Sequence, residues 1–196
     1  MDAVTLLRND HKTVEGLFKK FEKAGPNATK TKKDLVEKII EELSIHAAIE
    51  EQVFYPAVRD AMPDAREEVL EALEEHHVVK WTLSELDGMD PTDERFTAKV
   101  TVLTDLVRHH VEEEEGELFP EVRKAVKRKE LEDLAQALEA AKKVAPTRPH
   151  PRAPDTPPAN VIVGVAAGAV DRVEDTGKRT VRRVLGRTRG RERKAG

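Results

Sequence analysis

The chain predicts an all-α protein, an antiparallel up-down four-helix bundle with a short fifth helix, a Pro-rich linker and a basic C-terminal tail. Three observations carry this prediction. Apolar residues recur at spacings of three and four through four successive segments, no stretch alternates with the period of a strand, and short Gly-, Pro- or Asp-marked connections separate the segments. Helices of about 20–30 residues with one apolar stripe each can bury it only against one another, and short loops make neighbours antiparallel.

Each element follows from its own pattern. The first helix spans about Ala3 to Lys23 and stops at Gly25-Pro26, with Leu7, His11, Val14, Phe18 and Phe21 on one stripe. The second runs from near Thr31 to about Asp60, placing Ile39, Leu43, His46, Glu50, Val53 and Ala57 at a 3-4 spacing, and Pro56 is expected to bend it. The third opens at Asp64, with Glu67 as its capping-box partner, and closes at Asp87-Gly88. Its seam is Val69, Ala72, His76, Val79, Leu83 and Leu86. The fourth follows Pro91-Thr92, turns Phe96, Val100, Leu103, Val107, His110, Glu114 and Leu118 inward, and bends at Pro120. Glu130 to Lys143 forms the short fifth helix, while Tyr55, Trp81 and the phenylalanines read as core or bundle-end packing.

Composition sets further bounds. The chain has 196 residues, 37% of them charged and 4% aromatic, with a formal charge of -4 and no cysteine. Disulfides, thiolate metal sites and cysteine nucleophiles are excluded, so any metal must sit on nitrogen and oxygen. The N-terminus lacks a signal-peptide pattern and no stretch approaches the ~18 apolar residues of a spanning helix, so a cytoplasmic location is expected. Residues 1–144 read as the bundle. Residues 145–160 hold six of the eleven prolines and read as a linker. Residues 161–196 carry ten Lys/Arg against four Asp/Glu, a net of +6 that leaves -10 on the first 160 residues. This tail is expected to be partly helical or disordered, with Val163, Ala166, Val170, Val173, Val181 and Val184 opposite its basic residues, and to be able to contact nucleic acid or an anionic membrane surface.

The most informative feature is a repeat: HAAIEEQVFYP, starting at His46, returns 64 positions later as HVEEEEGELFP, starting at His110. A histidine and a glutamate at i, i+4 lie one above the other on a helix, about 5–6 Å apart at Cβ, and can reach one ion. Helix geometry also selects among adjacent histidines. His76 is in register with its seam while His77 is rotated about 100° away, and His110 is favoured over His109 by the same test. The candidate metal ligands are therefore His11, His46, Glu50, His76, His110 and Glu114. Two glutamates on an apolar seam would cost several kcal/mol each as unpaired charges, and a buried cation offsets that cost. Glu51 and Glu115 are candidate outer or additional ligands, Glu15 a possible seventh, and Glu112 and Glu113 a solvated face. Imidazole and carboxylate suit iron, manganese or zinc alike.

One His, then HxxxE, then a His in the pair Glu75-His76, then HxxxE followed by FP resembles the hemerythrin-like HHE cation-binding family, over roughly Met1 to Val126. The resemblance implies a non-haem di-iron centre, two Fe ions bridged by carboxylates, with those six residues as ligands. Oxygen-carrying members have a second histidine one turn after the third-helix histidine, where this chain has Lys80. An open coordination position, and chemistry or sensing rather than reversible oxygen carriage, is what the departure implies. The expected ligand is a small oxidant, O2, H2O2 or NO, met in stress defence or sensing, with catalase-like peroxide decomposition left open. The alternatives are an iron-responsive regulatory module without turnover and a zinc or manganese structural site. The ExxH motif of ferritin-like bundles is absent, because Leu43 and Val107 stand three residues before His46 and His110.

Overall fold

The computed structural model describes residues 1–155, 160 and 163–172. It is all-helical among these residues. The elements are α1 (Ala3–Lys23), α2 (Thr29–Ile49), α3 (Tyr55–Ala61), α4 (Arg66–Leu86), α5 (Phe96–Glu113), α6 (Phe119–Ala125) and α7 (Arg128–Lys142). Helices α1, α2, α4 and α5 form the antiparallel bundle, and α7 packs across α1 and α2. Asp2 caps α1 by accepting from the Thr5 amide at 2.8 Å.

The second and fourth bundle helices are not simply bent at their prolines. A π-helical turn, Glu50–Phe54, joins α2 to α3, and another, Glu114–Leu118, joins α5 to α6. In each the amide of the residue before proline donates to the glutamate five positions back, Tyr55 to Glu50 and Phe119 to Glu114. Proline clashes with the carbonyl four residues back and removes a donor, and a wide turn just before it accommodates both effects. The extra residue in the turn rotates everything after it by one position. Val53 and Ala57, expected inward from an uninterrupted 3-4 spacing, are therefore only half-buried, while Phe54, Tyr55 and Val58 fill the core.

Two other local expectations are corrected. Asp64 and Glu67 form no capping box: Pro63–Ala65 is a 3-10 turn and Ala65 caps α4 without a side-chain hydrogen bond. Trp81 is 41% exposed, donates to His77 Nε2 at 3.0 Å and has the Arg152 guanidinium 5.8 Å from its ring centre.

Two apolar clusters fill the interior. One gathers Leu7, Ile49, Phe54, Tyr55, Val69, Phe119 and Leu138, the other Val14, Phe18, Ile39, Leu83, Phe96 and Leu103. At roughly 1.5–3 kcal/mol for each fully buried large side chain, these clusters hold the helices together. Between them lies a layer of histidine and glutamate.

The Pro-rich stretch, read from sequence as a spacer, lies against the bundle in its described part, with Ala145, Pro146 and Thr147 buried. Residues 163–172 are helical, and Asp171 accepts from the amides of Thr147 and Arg148 at 3.0 and 3.1 Å. Asn160 donates to the Glu51 carbonyl at 3.1 Å. Half of the predicted tail stripe, Val173, Val181 and Val184, lies outside the described residues.

Candidate metal centre

Each bundle helix contributes one histidine to the middle layer, and all four are at most 6% exposed. Their Nε2 atoms turn inward in two pairs: His11 and His46 stand 3.1 Å apart, and His76 and His110 likewise 3.1 Å apart. Glu50 Oε2 lies 3.0 Å from His46 Nε2 and 3.4 Å from His76 Nε2, so it reaches one member of each pair. Glu114 Oε2 does the same, 3.3 Å from His11 Nε2 and 3.6 Å from His110 Nε2. The six residues named from sequence thus meet at one place. Donor atoms of His11, His46, Glu50 and Glu114, and separately of Glu50, His76 and His110, lie within 4.8 Å of one another.

The outward nitrogens are organised as well. Asp10 on α1 faces His46 Nδ1 at 3.6 Å, and Glu51 after α2 faces His76 Nδ1 at 3.1 Å. Glu75 on α4 faces His110 Nδ1 at 2.7 Å, and Glu115 after α5 returns to His11 Nδ1 at 2.9 Å. Every helix supplies the carboxylate for the next helix's histidine, and the ring closes. Carboxylates behind histidines fix the tautomer that presents Nε2 as a lone-pair donor and raise its basicity.

The repeat has one chemical asymmetry. Phe119 stacks on His11 with ring centres 5.8 Å apart, and Tyr55, at the equivalent place, packs on His76 at 5.6 Å. Only Tyr55 carries a hydroxyl, which donates to Glu114 Oε1 at 2.9 Å. Burial, and then the negative charge of Glu114, push the Tyr55 pKa well above its ordinary value, so the phenol keeps its proton. Consistently, Glu114 has one buried oxygen without a hydrogen bond and Glu50 has two.

The electrostatics reflect this crowding. Burial opposes charge on His46, but Glu50, Asp10 and Glu114 outweigh it and push its pKa up to about 10. Burial likewise opposes charge on His76, and Glu50 and Glu51 lift it to about 9. Glu50, despite complete burial, is held well below the usual carboxylate range by these two imidazoles. Three buried carboxylate oxygens without hydrogen bonds, ringed by four imidazole nitrogens, form a donor set suited to cations.

Sequence reasoning missed three participants. Tyr55 reads from its sequence position as packing, and helical periodicity does not mark Asp10 or Glu75 as histidine partners. The available signal was that Asp10 and Glu75 each immediately precede a seam histidine. Glu15 lies outside the centre, where its carboxylate takes a two-point ion pair from Arg108 at 3.0 and 3.1 Å. Lys80, one turn after His76, is buried and donates to both Glu51 oxygens at 2.8 and 3.0 Å.

Comparison with known proteins finds relatives of this fold. The hemerythrin HHE cation binding domain family matches residues 2–122. An uncharacterized hemerythrin-like protein of Schizosaccharomyces pombe is 28% identical over 167 residues, 85% of this chain and 81% of that protein. A protein named DNA nickase, from a Nostoc species, is 29% identical over 142 residues, 72% of this chain but only 39% of its own length. The crystal structure of a hemerythrin HHE cation binding domain-containing protein from Mycobacterium kansasii superposes with a TM-score of 0.63 at 25% identity, covering 73% of this chain and 86% of that one. Fold, helix order and sequence match together assign this chain to the hemerythrin HHE cation-binding domain family.

Proposed function

We propose that the chain holds two iron ions and reacts with, or senses, a small oxidant such as O2, H2O2 or NO. His11 and His46 would hold one ion, His76 and His110 the other, and Glu50 and Glu114 would span both. The observation that carries this reading is that each glutamate contacts a histidine of both pairs while keeping at least one buried oxygen without a hydrogen bond. Bound iron would supply one-electron redox chemistry.

The protein's own part is selection and orientation. A cavity of about 20 Å³ touches all four histidines and is otherwise walled by Val14, Leu43, Ala47, Val79, Val107 and Val111. A water needs roughly 10–15 Å³, so the space suits a molecule of two or so heavy atoms and excludes larger organic substrates. The aliphatic wall disfavours bulk water. Tyr55 keeps Glu114 in place and holds a proton on its phenolic oxygen, 3.4 Å from His76 Nε2.

Metal analysis with absorption spectra before and after peroxide tests the proposal. About two irons per chain and near-ultraviolet bands that change with peroxide are expected; a colourless protein holding zinc alone would overturn it.

A second reading, an iron-responsive module without turnover, draws on the contact between Asn160 and the Glu51 backbone, which ties the C-terminal segment to a residue touching His76. In that case metal shifts the melting temperature but peroxide is not consumed. A cytoplasmic location is part of this proposal; among the described residues no helix is long and apolar enough to cross a membrane. The +6 charge of residues 161–196 supports contact of the tail with nucleic acid or an anionic membrane surface.

A further inference from the structure

The four outer carboxylates differ in how they are neutralised. Glu115 has Arg8 at 3.5 Å, Asp10 has Lys142 at 2.5 Å and Glu51 has Lys80 at 2.8 Å. Glu75 is the exception: its ion-pair partners among the described residues are His110 and, at 3.8 Å, His109. Two of the neutralised positions are also covered, Asp10 by its link to α7 through Lys142 and Glu51 by the segment around Asn160.

Glu75 opens instead onto a surface pocket of about 70 Å³. Glu68, Glu71, Glu113 and Glu117 wall it, Glu114 and His110 line its inner side, and no lysine or arginine borders it. An acidic pocket alone would be a solvated surface feature. Here a second observation points inward: Glu114 is 2% exposed, and its Oε2 is buried without a hydrogen bond between the two histidine pairs. At the outer end, donor atoms of Glu75, His109 and Glu113 lie within 4.8 Å of one another.

We propose that this pocket is the route by which a divalent cation enters the centre, with Glu75, His109 and Glu113 as a transient outer stop and Glu114 as the residue that receives it. The proposal rests on the reading of the buried layer as a metal centre. A cleft of one charge sign focuses the field and raises capture rates by 10–10³-fold, an effect that salt screens. The His109 side chain is 63% exposed, so the outer stop holds a cation loosely enough to pass it on. Glu114 then offers an oxygen that needs no competing hydrogen bond broken.

The test is anaerobic uptake of Fe²⁺ by metal-free full-length chain, followed by stopped-flow competition with a chromogenic chelator. Glu71→Gln/Glu113→Gln/Glu117→Gln is compared with wild type and with Glu74→Gln/Glu94→Gln/Glu139→Gln, an equal charge change at exposed positions outside the pocket. His109→Ala, which removes the imidazole of the outer stop, is the second, milder variant. The triple pocket variant should load at least about tenfold more slowly at low salt, His109→Ala by a smaller factor; both should reach the same final stoichiometry, and the triple variant should converge on wild type near 1 M salt, where the screening length is about 3 Å. Equal loading rates for the pocket and control variants would overturn the entry route while leaving the metal centre standing. A reduced final stoichiometry would also overturn it, because the carboxylates would then be holding bound metal. Wild type that takes up no iron would overturn both readings.

Discussion

Replacing Tyr55 by Phe isolates one hydrogen bond of the centre. Tyr55 is 1% exposed, its hydroxyl donates to Glu114 Oε1 at 2.9 Å, and the ring keeps its contacts with Phe54 and His76 when the oxygen is removed. No cavity larger than a hydroxyl is created, so the cost is that of a hydrogen bond to a buried carboxylate, about 1.5–3 kcal/mol. In a domain of this size each kcal/mol moves the melting temperature by roughly 2–4 °C, so calorimetry of the metal-free protein should show a fall of about 3–12 °C. Because Glu114 would then lack a hydrogen bond on both oxygens, the absorption bands of the iron-loaded variant should also shift while iron stoichiometry is retained. A melting temperature within about 1 °C of wild type would refute the reasoning, since Glu114 would not depend on this donor.

Further outcomes follow from the same geometry. Chelator treatment should lower the melting temperature, because metal that binds only the folded chain stabilises it by about 2.7 kcal/mol at a hundredfold excess over Kd; calorimetry with and without chelator measures this, and no change would count against a buried centre. His110→Ala should reduce bound metal per chain in elemental analysis, whereas His109→Ala, on the exposed face, should leave the final content intact. In the metal-free chain His46 and His76 have pKa values of about 10 and about 9, above the ordinary 6.5, so the stability they contribute is complete below about 6.5 and is lost as pH rises through 9 to 10. Urea melts of chelated protein at the two ends of that range should therefore show a His46- and His76-dependent fall. Gly168→Ala would put a Cβ 2.1 Å from the Val144 carbonyl oxygen, and the 163–172 helix should lift and become sensitive to limited proteolysis. Gly164→Ala meets only the flexible end of Gln52 and should be milder.

Helical periodicity carries the information that could be extracted from the order of residues alone. The spacing of apolar residues specified four helices and their buried faces, and the i, i+4 pairs His46/Glu50 and His110/Glu114, with His11 and His76 on their seams, specified which polar side chains enter the interior. These are properties of a single helix, where 3.6 residues per turn converts position into direction. The π turns broke that conversion, so the inward residues after Glu50 moved from Val53 and Ala57 to Phe54, Tyr55 and Val58. The ring of Asp10, Glu51, Glu75 and Glu115 behind the four histidines arises from helix packing, because each of these contacts joins different helical segments at sequence separations of 25 to 104. The same holds for the Tyr55 hydroxyl on Glu114 and for the acidic pocket beside Glu75. Contacts between helices depend on their rotation and depth of packing, and a one-dimensional pattern records neither.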